Sequence, residues 1–143
     1  MMENKQKVLF VCTGNSCRSQ IAEGLLNEMA GKYFKVYSAG SHPSRVHPNA
    51  ISTMKEIKID ISNHTSNSIN EFINTGIDIV ITVCDDAKQA CPIFPKDSMK
   101  IHWSIDDPFQ GWGKDEEHLN SFRKTRTELQ GRIQKFINEM ELL

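Results

Sequence analysis

The chain has 143 residues and a net charge of −1, with 17 Lys and Arg against 18 Asp and Glu. That balance leaves no electrostatic footprint for nucleic acid or an anionic membrane surface. The length suits one domain spanning residues 1–143, with a core that needs no disulfide staples.

The N-terminal stretch 1–7 is charged and leads into a short apolar run. This is too little for a signal h-region or a membrane span, so a cytoplasmic location is expected. In a reducing compartment, the four cysteines are expected to be catalytic, metal-binding or buried rather than structural disulfides. No internal repeat or low-complexity tract interrupts the chain.

Residues 7–11 predict a buried strand, and 18–32 a helix with Ile21, Ala22, Leu25 and Met29 on one face. A second strand at 35–38 is closed by Ala39-Gly40. A helix follows over 47–57, with Pro48 suited to its first turn. Residues 67–74 predict a short helix. The unbroken apolar, β-branched run 77–83 predicts a third strand, and 100–103 a fourth. From Glu116 onward, Leu119, Phe122, Leu129, Ile133, Phe136, Ile137 and Met140 mark a long amphipathic terminal helix. Strands alternating with helices imply a three-layer α/β/α domain with a four-stranded parallel sheet. Ligands of such sheets bind beyond the carboxyl ends of the strands.

At the end of the first strand stands Cys12-Thr13-Gly14-Asn15-Ser16-Cys17-Arg18-Ser19. A cysteine, five residues and an arginine between a strand and a helix describe a covalent anion-binding site. Gly14 is expected to let the loop curl, so that successive N–H groups point inward as a nest. The helix N-terminus adds unpaired donors and the positive end of its dipole. Arg18 offers a planar fork suited to a tetrahedral oxyanion. The same field favours a thiolate on Cys12. Thr13, Gly14, Asn15, Ser16, Cys17, Arg18 and Ser19 are the expected substrate-binding residues, with Cys17 read as a packed thiol. Ser19 is placed either to cap the helix or to donate to Cys12.

Cys84 ends the third predicted strand as Cys12 ends the first, which sets both at one edge of the sheet. Cys91 follows in a polar segment closed by Pro92 and Pro95, read as a solvent-facing loop. One cysteine on a loop beside a fixed one suits the outward relay of a disulfide. The plainer reading is a small strand-end hydrophobe and an incidental loop residue. Structural zinc is disfavoured, because C-x4-C and C-x6-C are not the tight pairs it requires. Asp106-Asp107-Pro108 follows the fourth strand. Asp107, beside the proline, is the candidate general acid, since a carboxyl near a bound oxyanion favours its protonated form. A simple Asp-Pro turn is the alternative. The five histidines show no metal spacing and are read as loop or surface residues.

These motifs, with His102-Trp103, Tyr37-Ser38-Ala39-Gly40 and Ile59-Asp60-Ile61-Ser62, resemble the thioredoxin-coupled arsenate reductases. That family shares the fold of low-molecular-weight protein tyrosine phosphatases. Cys84, Cys91 and Gln20, where tyrosine phosphatases usually carry proline, select the reductase branch. The resemblance implies reduction of arsenate to arsenite, as in arsenate detoxification. Cys12 attacks arsenate, Arg18 and the loop hold it, and Asp107 protonates the leaving oxygen. Cys12–Cys84 and then Cys84–Cys91 disulfides follow, and external thioredoxin is the electron donor. No bound cofactor is implied, phosphate and sulfate are competing anions, and a monomer is expected. A potassium site would use Asn15, Glu23, Ser38 and Asn67, but Asn67 stands where potassium-binding members have aspartate. Phe109-Gln110-Gly111-Trp112 is more aromatic than in the reductases, so the alternative is an aryl phosphate (tyrosine) phosphatase. A redox sensor without enzymatic turnover is the third reading.

Overall fold

The computed structural model describes residues 5–84 and 98–140. In chain order these form β1 (Gln6–Cys12), α1 (Arg18–Ala30), β2 (Phe34–Gly40), α2 (Pro48–Lys55), a 3-10 segment (Ile69–Phe72), β3 (Ile79–Thr82), β4 (Met99–His102) and α3 (Glu116–Glu139). Cys91 and the rest of the predicted relay segment fall in 85–97, outside the described residues.

The four strands make one all-parallel sheet in the order β2-β1-β3-β4. β1 is central, and its Val8–Val11 core is almost wholly buried, as a strand covered on both faces must be. The chain leaves β1 for β2 on one side and later returns to lay β3 on the other. The carboxyl end of β1 is therefore the switch point of the sheet, where such folds open a crevice. Cys12 is the last residue of that strand.

Alternation along the strands assigns the two faces. Phe34, Val8, Phe10 and Cys12 share one face with α3, through the ring contacts Phe34–Phe136 and Phe10–Trp103–Phe136 at 5.6, 6.1 and 6.4 Å. Tyr37, in register with Leu9, lies on the other face and packs on Phe72 of the 3-10 segment at 5.4 Å. The chain thus builds an α/β fold with a four-stranded parallel sheet.

Local chemistry explains the element ends. His47 caps α2 by accepting the Asn49 N–H on its ring, and Pro48 takes the first helical position, where a missing N–H costs nothing. Asp115 caps α3 by accepting from His118 N–H. Ser68 and Glu71 form a reciprocal capping box, yet the helix expected over 67–74 shrinks to a single 3-10 turn. Met29 is 38% exposed, so it does not belong to the buried face of α1; Leu26, fully buried, takes that place beside Ile21, Ala22 and Leu25. Leu119 and Met140, expected on the buried face of α3, are only partly covered, while His118 and Thr125 are buried there.

Candidate active site

Cys12 is followed by loop 13–17, which runs from β1 into α1. The loop is held from several directions. Its carbonyls accept from neighbouring backbone: Thr13 from His42 N–H, Gly14 from Ser44 N–H and Ser16 from His47 N–H, at 2.8 to 3.0 Å. Gln20 reaches back from α1 to donate to the Asn15 carbonyl and to Thr65 O, which a proline at this position could not do.

The expected role of Gly14 needs correction. The residue with a left-handed backbone is Asn15, with φ of 47°, and a Cβ on Gly14 would meet only ordinary contacts. Asn15 carries that conformation because its buried side chain is fully used. Its Nδ2 donates to Ser19 Oγ and Ser38 Oγ at 2.7 and 2.9 Å, and its Oδ1 accepts from Asn67 N–H. The glycine that the loop requires is Gly40, at the end of β2. A Cβ there would lie 2.4 Å from the Thr13 carbonyl oxygen.

Ser19 does not cap α1; it lies inside the helix, with Cys17 at the cap position. Its Oγ is 2.9 Å from Cys12 Sγ and accepts from Asn15 Nδ2, so it is held where it donates to Cys12 once that sulfur is a thiolate with no proton of its own to give. Cys17 is buried, and burial is the main cause pushing its thiol up to about 12, which keeps it protonated and inert. Arg18 is anchored by donation to Ile105 O at 2.9 Å, and its other terminal nitrogen lies 3.5 Å from Asp107 Oδ2.

A cavity of about 290 Å³ opens above Cys12, between loop 13–18 on one side and Asp107, Phe109 and Trp112 on the other. Ser44 also lines it, a contribution that no pattern in the sequence signalled. Asp107 lines this cavity and accepts from Phe109 N–H; Asp106 does not line it, and both aspartates border a smaller cleft beside α3. Asn15 and Ser19 do not line the cavity; they support it from behind. Cys84 is buried directly after β3, its sulfur 3.4 Å from Thr13 Oγ1, so it adjoins the Cys12 loop without lining the cavity.

Two of the histidines depart most from expectation. His47 and His118 are buried, not on the surface. Neutral rings fit both. His47 Nδ1 accepts from Asn49 N–H and Nε2 donates to Gly111 O at 2.7 Å, while His118 Nε2 accepts from Gln110 N–H and Nδ1 donates to Gly113 O. Burial lowers the His47 pKa further from its ordinary value; the Gly111 bond opposes this, while His118, Arg45 and Lys114 add to it. Trp112 stacks on His47 at 4.8 Å and carries the Arg45 guanidinium over its ring at 4.0 Å.

The four residues considered for potassium are joined in one hydrogen-bond network. Asn15 donates to Ser38, Ser38 donates to Glu23 Oε1 at 2.6 Å, and the Asn67 side chain is engaged by Thr65. Glu23 is the one carboxylate among them; burial raises its pKa, against the Ser38 bond and nearby His64. Ser38 and His64 both approach Oε1 of that carboxylate, at 2.6 and 3.7 Å.

An arginine-walled cavity over a cysteine, at the switch point of a parallel sheet, defines a class: enzymes that take an oxyanion at a thiol. Residues 7–142 match the low molecular weight phosphotyrosine protein phosphatase family, and the chain belongs to it. Within it, an arsenate reductase of Bacillus subtilis is 45% identical over 135 residues, covering 94% of this chain and 96% of that one. A solved arsenate reductase in a phosphate-binding state superposes with a TM-score of 0.74 at 35% identity, covering 94% and 98% of the two chains. A thioredoxin-dependent arsenate reductase of Corynebacterium glutamicum gives 0.77 at 29%, covering 99% of this chain and 65% of that longer one.

Proposed function

We propose that this protein reduces arsenate to arsenite by a thiol relay that begins at Cys12. The observation that carries the reading is a second thiol, Cys84, one residue contact from the Cys12 loop through Thr13. A phosphatase of this fold has no use for it. The relatives named arsenate reductase support the same reading.

The Cys12 thiolate attacks arsenic, aided by the hydroxyl of Ser19, while Arg18 and the loop N–H groups hold the oxygens. Asp107 protonates the departing oxygen, which leaves as water. Cys84 then attacks the Cys12 sulfur. A Cys12–Cys84 bond forms, the sulfur–arsenic bond breaks, and its electron pair stays on arsenic, which leaves as arsenite. The step brings the Cys84 sulfur from its contact with Thr13 Oγ1 onto the sulfur of the preceding residue, Cys12. Attack of Cys91 on Cys84 frees Cys12 and gives a Cys84–Cys91 disulfide, which thioredoxin reduces by exchange. No step passes through potassium.

A phosphatase activity on aryl phosphates is the second reading, favoured by Phe109, which is 40% exposed and lines the cavity. The test is arsenate-dependent NADPH oxidation with thioredoxin and thioredoxin reductase. The parent is expected to turn over, and Cys12→Ser and Cys84→Ser to be inactive. Normal turnover in Cys84→Ser would overturn the relay.

A further inference from the structure

The segment beyond Asp107 is tied down backbone atom by backbone atom. Gln110 N–H and Gly113 O bond to His118, Gly113 O also accepts from Asn49 Nδ2, and Gly111 O accepts from His47. Of these anchors, His47 has the widest reach. Its own N–H donates to Ser16 O in the Cys12 loop, its Nδ1 caps α2, and its Nε2 holds Gly111. Its ring packs edge-on to Phe109 at 5.6 Å and flat on Trp112. It is completely buried and lines no part of the cavity, so it touches neither substrate nor reacting atoms.

We propose that His47 is a positioning residue for the protonation step: through Gly111 and Phe109 it fixes Asp107 over Cys12, relative to a loop that it also grips at Ser16. The inference rests on the assignment of Asp107 as the acid, and not on which anion is the substrate. Gly111 adopts a φ of 95°, so its carbonyl is presented to His47 by a conformation that a Cβ would oppose. Displacement of an acid by about 1 Å is enough to cost up to roughly a hundred-fold in rate.

Asparagine and glutamine separate the two ring functions. His47→Asn keeps an acceptor for the α2 cap but is too short to reach Gly111, whereas His47→Gln keeps the reach and weakens the cap. The first-step rate is measured by rapid quench with p-nitrophenyl phosphate and, separately, with arsenate. His47→Asn is expected to be slower by roughly ten-fold or more, with His47→Gln faster than His47→Asn despite a lower melting temperature. In an Asp107→Asn background, His47→Asn should lose less than about two-fold, because the group it positions is gone. An equal loss in both backgrounds, or none in either, would overturn the proposal. Gly111→Ala alters the same contact in a loop where a Cβ meets nothing within 4 Å, so it cannot fail by unfolding the core. It should show the same Asp107-dependent loss, and the parental rate would contradict the proposal. Coupling seen with the aryl phosphate but no arsenite from the parent would remove the arsenate reading and leave this one standing.

Discussion

At Ser19 and Asn15 the chemistry of the site is decided by who donates to whom. Asn15 holds the Ser19 hydroxyl against the Cys12 sulfur, and that hydroxyl becomes the donor when Cys12 is a thiolate. The cysteine-to-arginine spacing made Cys12, Arg18 and their loop legible in the sequence, because the chemistry requires those residue types at that interval. Which residue carries the strained backbone was not legible. Asn15 takes it through three hydrogen bonds that span up to 52 positions, a long-range fact that no local pattern encodes. Asp107 was singled out by its proline, and of the two aspartates it is the one that lines the cavity over Cys12. Asp107→Asn should therefore slow the first chemical step by roughly a hundred-fold, while Asp106→Asn stays within a few-fold of the parent. Single-turnover rates for the two variants check this, and equal rates would remove the acid assignment.

Elements were legible where their periodicity was local. β1, α1, α2 and α3 fall close to their expected spans, and Pro48 takes the first turn of α2 as expected. The helix expected over 67–74 is cut to one 3-10 turn, because its capping box starts a helix but cannot sustain one without a buried stripe; only Ile69 is buried there. At the end of α2, Ile59 N–H bonds to Met54 O and Lys58 N–H to Lys55 O, a closure that places Lys58 in the left-handed region with φ of 65°. Glycine suits that position better. Lys58→Gly should stabilise the protein by about 0.5–1 kcal/mol, the left-handed cost less the entropy of glycine. Thermal unfolding should show a midpoint raised by roughly 2–4 °C, and a fall would contradict the backbone argument.

On the scale of the whole molecule, strand order converts two distant cysteines into neighbours. β1 and β3 pair in parallel with Val11 opposite Thr82, so Cys12 comes level with Val83, and Cys84, one residue further on, emerges at the same carboxyl edge. That adjacency was legible because both cysteines close apolar runs. The histidine anchors were not: His47 before Pro48 reads as a turn, and His118 as an isolated histidine, until α2, α3 and the Asp107 loop close around them. Arsenate reduction here depends on electrons passing from a second thiol to arsenic bound at Cys12. Cys91→Ser, reduced and mixed with arsenate without thioredoxin, tests it most directly by arsenite quantitation and mass spectrometry of the protein. About one arsenite per chain and a Cys12–Cys84 disulfide are expected, with no further turnover. Absence of both, in a variant that still hydrolyses p-nitrophenyl phosphate at Cys12, would contradict the relay and leave a phosphatase.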